Sequence, residues 1–174
     1  MGVADSFQSA SLLVKITLII ALVSNLCNWI SFTTTSWITY SGPNTQDTYF
    51  GLWRSCGAIS GCTQLDGSGS SKLNAIQAFA IFGFVSLNVA TLLVVLYMFW
   101  GSCRGNAEVK LAAAILFFIS AVTWLISVIV FGADFNKGGS DLDFSFGLAI
   151  VSLLLSVVAG VLLILDGNAS VGSK

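Results

Sequence analysis

Histidine is absent from this chain of 174 residues, proline occurs once, and charged residues make up only 9% of it. Each shortage excludes something. Without histidine there is no imidazole general base and no histidine-ligated zinc. Seven basic and eight acidic side chains cannot clothe a water-soluble globule of this length, and they form no basic face for nucleic acid. No zinc-ligand spacing and no phosphate-binding glycine loop occurs, so the sequence points away from an enzyme, from a cofactor and from a metal centre. What fills the chain instead is apolar: 56% of the residues are hydrophobic.

Four apolar stretches stand out, at about 12–30, 75–100, 111–131 and 144–165. Each is near the ~20 residues that cross a hydrocarbon core as a helix. Lipid offers no hydrogen-bond partners, and these runs lack the alternation of a barrel strand, so all four are expected to be membrane-spanning helices. None carries Asp or Glu in its interior, which argues against a proton relay. Lys15, near one end of the first span, is placed to snorkel. The first span lacks a basic flank and a small-residue cleavage site and is expected to be retained rather than removed as a signal peptide.

Four spans put both termini on one side. Lys15, Arg104, Lys110 and Lys174 fall on that side, against Arg54, Lys72 and Lys137 opposite, which barely orients the chain. Cysteine placement says more. Cys56 and Cys62 flank a short segment containing Gly57 and Gly61, where the chain can turn back on itself, and such a bridge persists only in an oxidising compartment. The first loop is therefore expected outside, and the termini in the cytoplasm. Cys103 then lies at the cytoplasmic end of the second span, a candidate for reversible palmitoylation against the alternative of a plain thiol. Asn168-Ala169-Ser170 matches a glycosylation acceptor but falls on the cytoplasmic side.

The larger outer loop, about 31–72, is rich in β-branched and aromatic residues. Phe32 to Tyr40 alternates as a strand would, a turn is expected at Gly42-Pro43-Asn44, and Thr48 to Ser55 resumes strand-like composition, giving a small antiparallel sheet. Asp66 to Ser71 is expected to be a flexible tether. The second outer loop, about 132–143, carries Asp134, Asp141 and Asp143 without EF-hand spacing, as a solvated acidic loop does. Asn25, Asn28 and Asn88 lie within spans, where interhelical hydrogen bonding is the ordinary explanation. Ser152, Ser156 and Gly160 recur every four residues in the last span and form a small-residue face, for packing inside the bundle or against a neighbouring protein.

Trp37, then Gly51-Leu52-Trp53, then Cys56 and Cys62 in the first outer loop of a short four-span chain resemble the claudin, peripheral myelin protein and epithelial membrane protein superfamily. Leu73 to Ala78 and Asp143 to Gly147 resemble the peripheral myelin and epithelial membrane branches, whereas Gly-Leu-Trp is closer to claudins and the lens fibre membrane protein. The resemblance implies an all-α membrane protein, one claudin-like domain over 1–174: a left-handed four-helix bundle topped by a small extracellular antiparallel β-sheet. It implies a Cys56–Cys62 disulfide and a consensus anchor of Trp37, Gly51, Leu52 and Trp53. Two tryptophans beside a membrane are expected to seat their rings at the interface with the indole N–H hydrated. Gln77 stands where many claudins carry arginine.

The function this resemblance implies is cell–cell junction formation, adhesion or a paracellular barrier at plasma-membrane contacts, through self-association in cis and trans among membrane lipids. The alternative is an accessory subunit of a channel or receptor, or a membrane organiser of the peripheral myelin type.

Overall fold

The computed structural model describes residues 3–42, 45–57, 59–65, 70–135 and 140–171. The expected turn at Pro43-Asn44, Lys137 and most of the Asp66–Ser71 tether lie outside them. In chain order the elements are α1 (Val3–Ser9), α2 (Leu12–Thr33), β1 (Ile38–Gly42), β2 (Thr45–Phe50), β3 (Arg54–Gly57), β4 (Gly61–Gln64), α3 (Ser71–Phe99), α4 (Ala107–Phe135), β5 (Ser140–Leu142) and α5 (Phe144–Val171). Among the described residues four helices, α2 to α5, are long and apolar enough to cross a membrane.

The helices overrun the apolar stretches that announce them. At ~1.5 Å per residue, the 29 residues of α3 and of α4 reach about 43 Å, beyond a hydrocarbon core of about 30 Å. Hydropathy marks where lipid begins, whereas capping decides where a helix begins. Ser70 accepts a bond from the Leu73 amide and so draws polar Ser71 and Lys72 into α3. Ser11 caps α2 in the same way through the Val14 amide.

The first strand is shorter than its composition suggests. Threonines 33–35 favour extended backbone, yet α2 continues to Thr33 and β1 begins only at Ile38. The Thr33 and Thr34 hydroxyls donate to the carbonyls of Trp29 and Ile30 at 2.8 and 2.7 Å, which supplies partners to the last helical turn. The expected strand over Thr48–Ser55 is interrupted, because β2 ends at Phe50 and the chain turns through Gly51-Leu52-Trp53 into β3. The second outer loop adds β5, a strand that the sequence did not announce. The sheet is antiparallel, in the order β4-β3-β2-β1-β5.

The helices pack in a ring in which α2 meets α5, α5 meets α4, α4 meets α3 and α3 meets α2. Inside lipid the hydrophobic effect does not draw helices together, so close approach and interhelical hydrogen bonds must. Small serines provide both. Ser24 of α2 donates to the Ser152 carbonyl of α5 at 2.9 Å, and Ser152 donates back to the Ser24 carbonyl at 3.0 Å. Ser120 and Ser127 of α4 donate to the carbonyls of Gly83 and Ile76 of α3 at 2.9 and 3.1 Å. At Gly83 a Cβ would lie 2.6 Å from the Trp124 ring, so the α3–α4 contact requires glycine there.

Gly83→Ala should therefore destabilise the bundle by about 1–3 kcal/mol through overpacking. Gly147→Ala, on α5 with nothing within 4 Å of its Cβ, should leave it unchanged or slightly more stable. Thermal unfolding of the two variants in detergent micelles checks the contrast; equal melting temperatures would contradict the packing described.

Candidate functional site

The sheet and the ends of the helices beneath it form a crown, and the residues of the tryptophan–cysteine signature occupy distinct places in it. Trp37 is fully buried. Its ring stacks on Trp124 at 6.0 Å between centroids and meets Phe131 and Phe146 edge-on at 4.9 and 5.8 Å. Its Nε1 donates to the Ser31 carbonyl at 2.8 Å. The expectation of an interfacial ring with a hydrated N–H is thus corrected: the indole is a core residue, and its polar edge is satisfied by the chain. Local sequence could not tell these cases apart, because the rings that enclose Trp37 come from α4 and α5.

The backbone around Trp37 is equally constrained. Its amide donates to the Phe50 carbonyl, and its carbonyl accepts from the Asp143 amide. The Ser145 amide reaches the Ser36 carbonyl. Asp143 also caps α5 through the Phe144 amide at 2.7 Å and accepts the Thr39 hydroxyl at 3.1 Å. Trp37 and Asp143 together tie the first outer loop to the entry of the last helix.

Each residue of Gly51-Leu52-Trp53 has a separate task. A Cβ on Gly51 would lie 2.7 Å from the Thr34 carbonyl oxygen and 2.7 Å from the Thr35 Cα, so only glycine lets this turn press against the end of α2. Leu52 is buried in the cluster that holds Trp37, and its carbonyl accepts from the Gln77 side chain of α3 at 2.7 Å. Trp53 turns away toward Phe32, 5.1 Å between centroids, and Phe32 stacks on Phe84 of α3 at 4.3 Å. Its Nε1 is buried without a hydrogen-bond partner among the described residues.

Cross-strand pairing decides which way the sheet residues face. Asp141, Thr39, Tyr49, Cys56 and Cys62 are successive partners and share one face. Ile38 and Phe50 belong to the neighbouring row: Ile38 is buried, and Phe50 stacks on Phe135 at 5.3 Å, so this row faces the bundle. The Cys56–Cys62 disulfide therefore lies on the outer face, joining two directly paired residues of β3 and β4. Strand alternation places Asp47 and Arg54 on that outer face too. Tyr40 points inward, donates to the Phe135 carbonyl at 3.2 Å, and has its phenol pushed above the usual tyrosine range by burial, so it remains a donor. Asp134 pairs with Lys72 at 2.5 Å, which ties α4 to the start of α3.

The remaining sequence candidates lie away from the crown. Ser152 and Ser156 meet Ser24 of α2, whereas Gly160 faces Phe118 of α4, where a Cβ would lie 3.0 Å from the ring. Two internal contacts, rather than one outward face, account for this four-residue spacing. Cys103 is a half-buried thiol in the turn after α3, at the opposite end from the sheet. Asn88 accepts from Trp29 Nε1 at 3.1 Å. The residue that sequence reasoning undervalued is Asn28: buried, it accepts from Trp124 Nε1 at 2.9 Å and so orients the ring on which Trp37 rests. An asparagine within an apolar span, as at Asn25 and Asn88, was the available signal; its partner, 96 residues away, was not. No three metal-ligating side chains converge among the described residues.

Trp37→Ala should cost about 3–5 kcal/mol, the range for emptying a buried aromatic site. Cys56→Ser opens a ring spanning only six residues on an exposed face and should cost about 2 kcal/mol. Limited proteolysis of the crown in micelles should rank Trp37→Ala far above Cys56→Ser in susceptibility, and the reverse order would overturn this assignment.

The signature residues thus form a structural crown on a four-helix membrane bundle. A search among curated proteins finds no match. The family model described as the PMP-22/EMP/MP20/Claudin family matches residues 9–163, most of the chain. With four spans, an antiparallel crown and its disulfide beneath that match, the chain is a tetraspan membrane protein that belongs to the PMP-22/EMP/MP20/Claudin family.

Proposed function

We propose that this protein assembles junctional or adhesive contacts between cells, associating side by side in one membrane and through its crown with copies in the opposing one. The observation that carries the reading is the outer edge of the sheet. β4 is the terminal strand, all four of its residues are exposed, and none is charged or proline. Edge strands are ordinarily guarded by lysine, proline or a bulge, and an unguarded edge is receptive to another strand. At the tip of the β3–β4 hairpin Ile59 is 85% exposed, an apolar contact held out by the disulfide-closed ring.

The disulfide supports an extracellular crown, because such a bridge persists in oxidising compartments, and with four spans both termini are then cytoplasmic. The plasma membrane at cell contacts is the location that fits. Asp47, Arg54 and Asp141 on the outer face would set the field in the gap between cells.

Expression in cells that lack junctions, followed by imaging of their contacts and freeze-fracture, tests the reading. Wild type should concentrate at contacts and form continuous intramembrane strands. Gln64→Pro, which removes a β4 amide that the pairing register turns away from β3 toward the free edge, should reach the surface normally but form fewer strands. Uniform surface distribution of the wild type, or its recovery in mild detergent with one stoichiometric channel subunit, would overturn the proposal.

A further inference from the structure

The ring of Trp29 is 51% exposed on the outer flank of α2, yet its Nε1 donates to Asn88, well inside α3, at 3.1 Å, and it meets Phe84 of α3 edge-on at 4.8 Å. A tryptophan that anchors a helix at the membrane surface keeps its N–H toward water. Here the polar edge is consumed within the bundle, and what faces lipid is a fixed, dry aromatic plate. Exposed Leu22 and Leu26, seven and three residues earlier on the same helix face, flank it.

The opposite corner of the bundle carries a matching depression. Ile115, Phe118, Ile119, Val122 and Thr123 of α4 line an open, wholly apolar groove of about 340 Å³. Phe118, seated against Gly160 of α5, forms one wall. The Thr123 hydroxyl is turned back on the Ile119 and Ser120 carbonyls at 2.9 and 3.1 Å, so it asks nothing of an occupant. Plate and groove also share a depth. Trp29 touches Phe84, and the neighbouring residue Gly83 faces Thr123, whose Oγ1 would lie 3.0 Å from a Cβ there. Both α2 and α4 run toward the crown, and helical side chains lean toward the N-terminus, so the Trp29 ring leans away from the crown. The groove extends the same way from Thr123, over eight residues or about 12 Å, to Ile115.

We propose that Trp29 of one copy of this chain seats in the α4 groove of the next, a lateral contact that repeats head to tail into a row. In the ring of helices α3 and α5 separate α2 from α4, so the two patches lie on opposite corners. Two different patches make a heterologous interface, which closes into a ring only when they incline toward one another; on opposite corners they extend an open line. Association within lipid rests on packing rather than on the hydrophobic effect. A ring already ordered by Asn88 and Phe84 loses little freedom on docking, which a flexible acyl chain in the same groove cannot match. The contact deepens the side-by-side half of the junctional reading, and it does not require an opposing membrane.

Cysteine cross-linking of the full chain in liposomes tests the row, with the free thiols Cys27 and Cys103 replaced by alanine. Leu26→Cys and Ile119→Cys combined in one chain should give, on oxidation, a ladder of trimers and longer species, whereas either alone should stay monomeric. Trp29→Ala should cut the ladder about tenfold, the scale of losing an aromatic anchor. Because Trp29 also braces α3, Val122→Trp serves as a second variant: Val122 is 56% exposed, so its melting temperature should match wild type while the filled groove abolishes the ladder. Dimers from Leu26→Cys alone, no ladder from the pair, or an undiminished ladder in both variants would overturn the proposal. A ladder in liposomes from a protein that stays uniformly distributed on cells would support this contact and count against the adhesive reading alone.

Discussion

The indole of Trp37 joins two parts of the molecule that answer to different solvents. Above it is a sheet of short strands in water, too thin to enclose a core of its own; below it is a bundle in lipid, where apolar surface is no driving force. The ring is buried among Trp124, Phe131 and Phe146, its N–H is satisfied by Ser31, and its backbone is bonded on one side to β2 and on the other to the entry of α5. The crown borrows its core from the helix ends. That is why α3 and α4 extend well past the length a bilayer needs.

Within the bundle, polarity does the work that apolar burial does in water. Thr17, Ser24, Asn28 and Ser31 of α2 are all buried, and so are Ser145, Ser152 and Ser156 of α5. Reciprocal serine-to-carbonyl bonds hold these two helices close, and α4 is joined to α3 by the same device. Asn28 extends the network to Trp124 and hence to the residue beneath the crown, so the bundle interior and the outer sheet are coupled through a chain of fixed contacts. Charge is confined to the two ends: Lys72 with Asp134 near the crown, and Lys110 with Asp166 at the opposite mouth.

The signature tryptophans and glycine have unlike reasons for their identity. Gly51 is required by backbone approach, Leu52 by the core beneath the sheet and Trp53 by an aromatic wall between α2 and α3. The disulfide lies on the outer face and closes a small ring, so it stiffens the hairpin that presents Ile59 and the β4 edge rather than holding the crown to the bundle.

Composition and pattern alone determined that the chain spans a membrane four times and that its first outer loop carries a bridged cysteine pair, because lipid imposes long apolar runs and a short glycine-flanked cysteine spacing is a local property. The tertiary structure decided what depends on residues far apart. It set the helix ends, since capping hydroxyls rather than hydropathy stop or start a turn. It recruited β5, since three residues carry no periodicity of their own. It turned Ser152 and Ser156 toward α2 but Gly160 toward α4. It also placed Trp37 inside, since a tryptophan's burial is decided by the rings that surround it, and those arrive from helices about a hundred residues later in the chain.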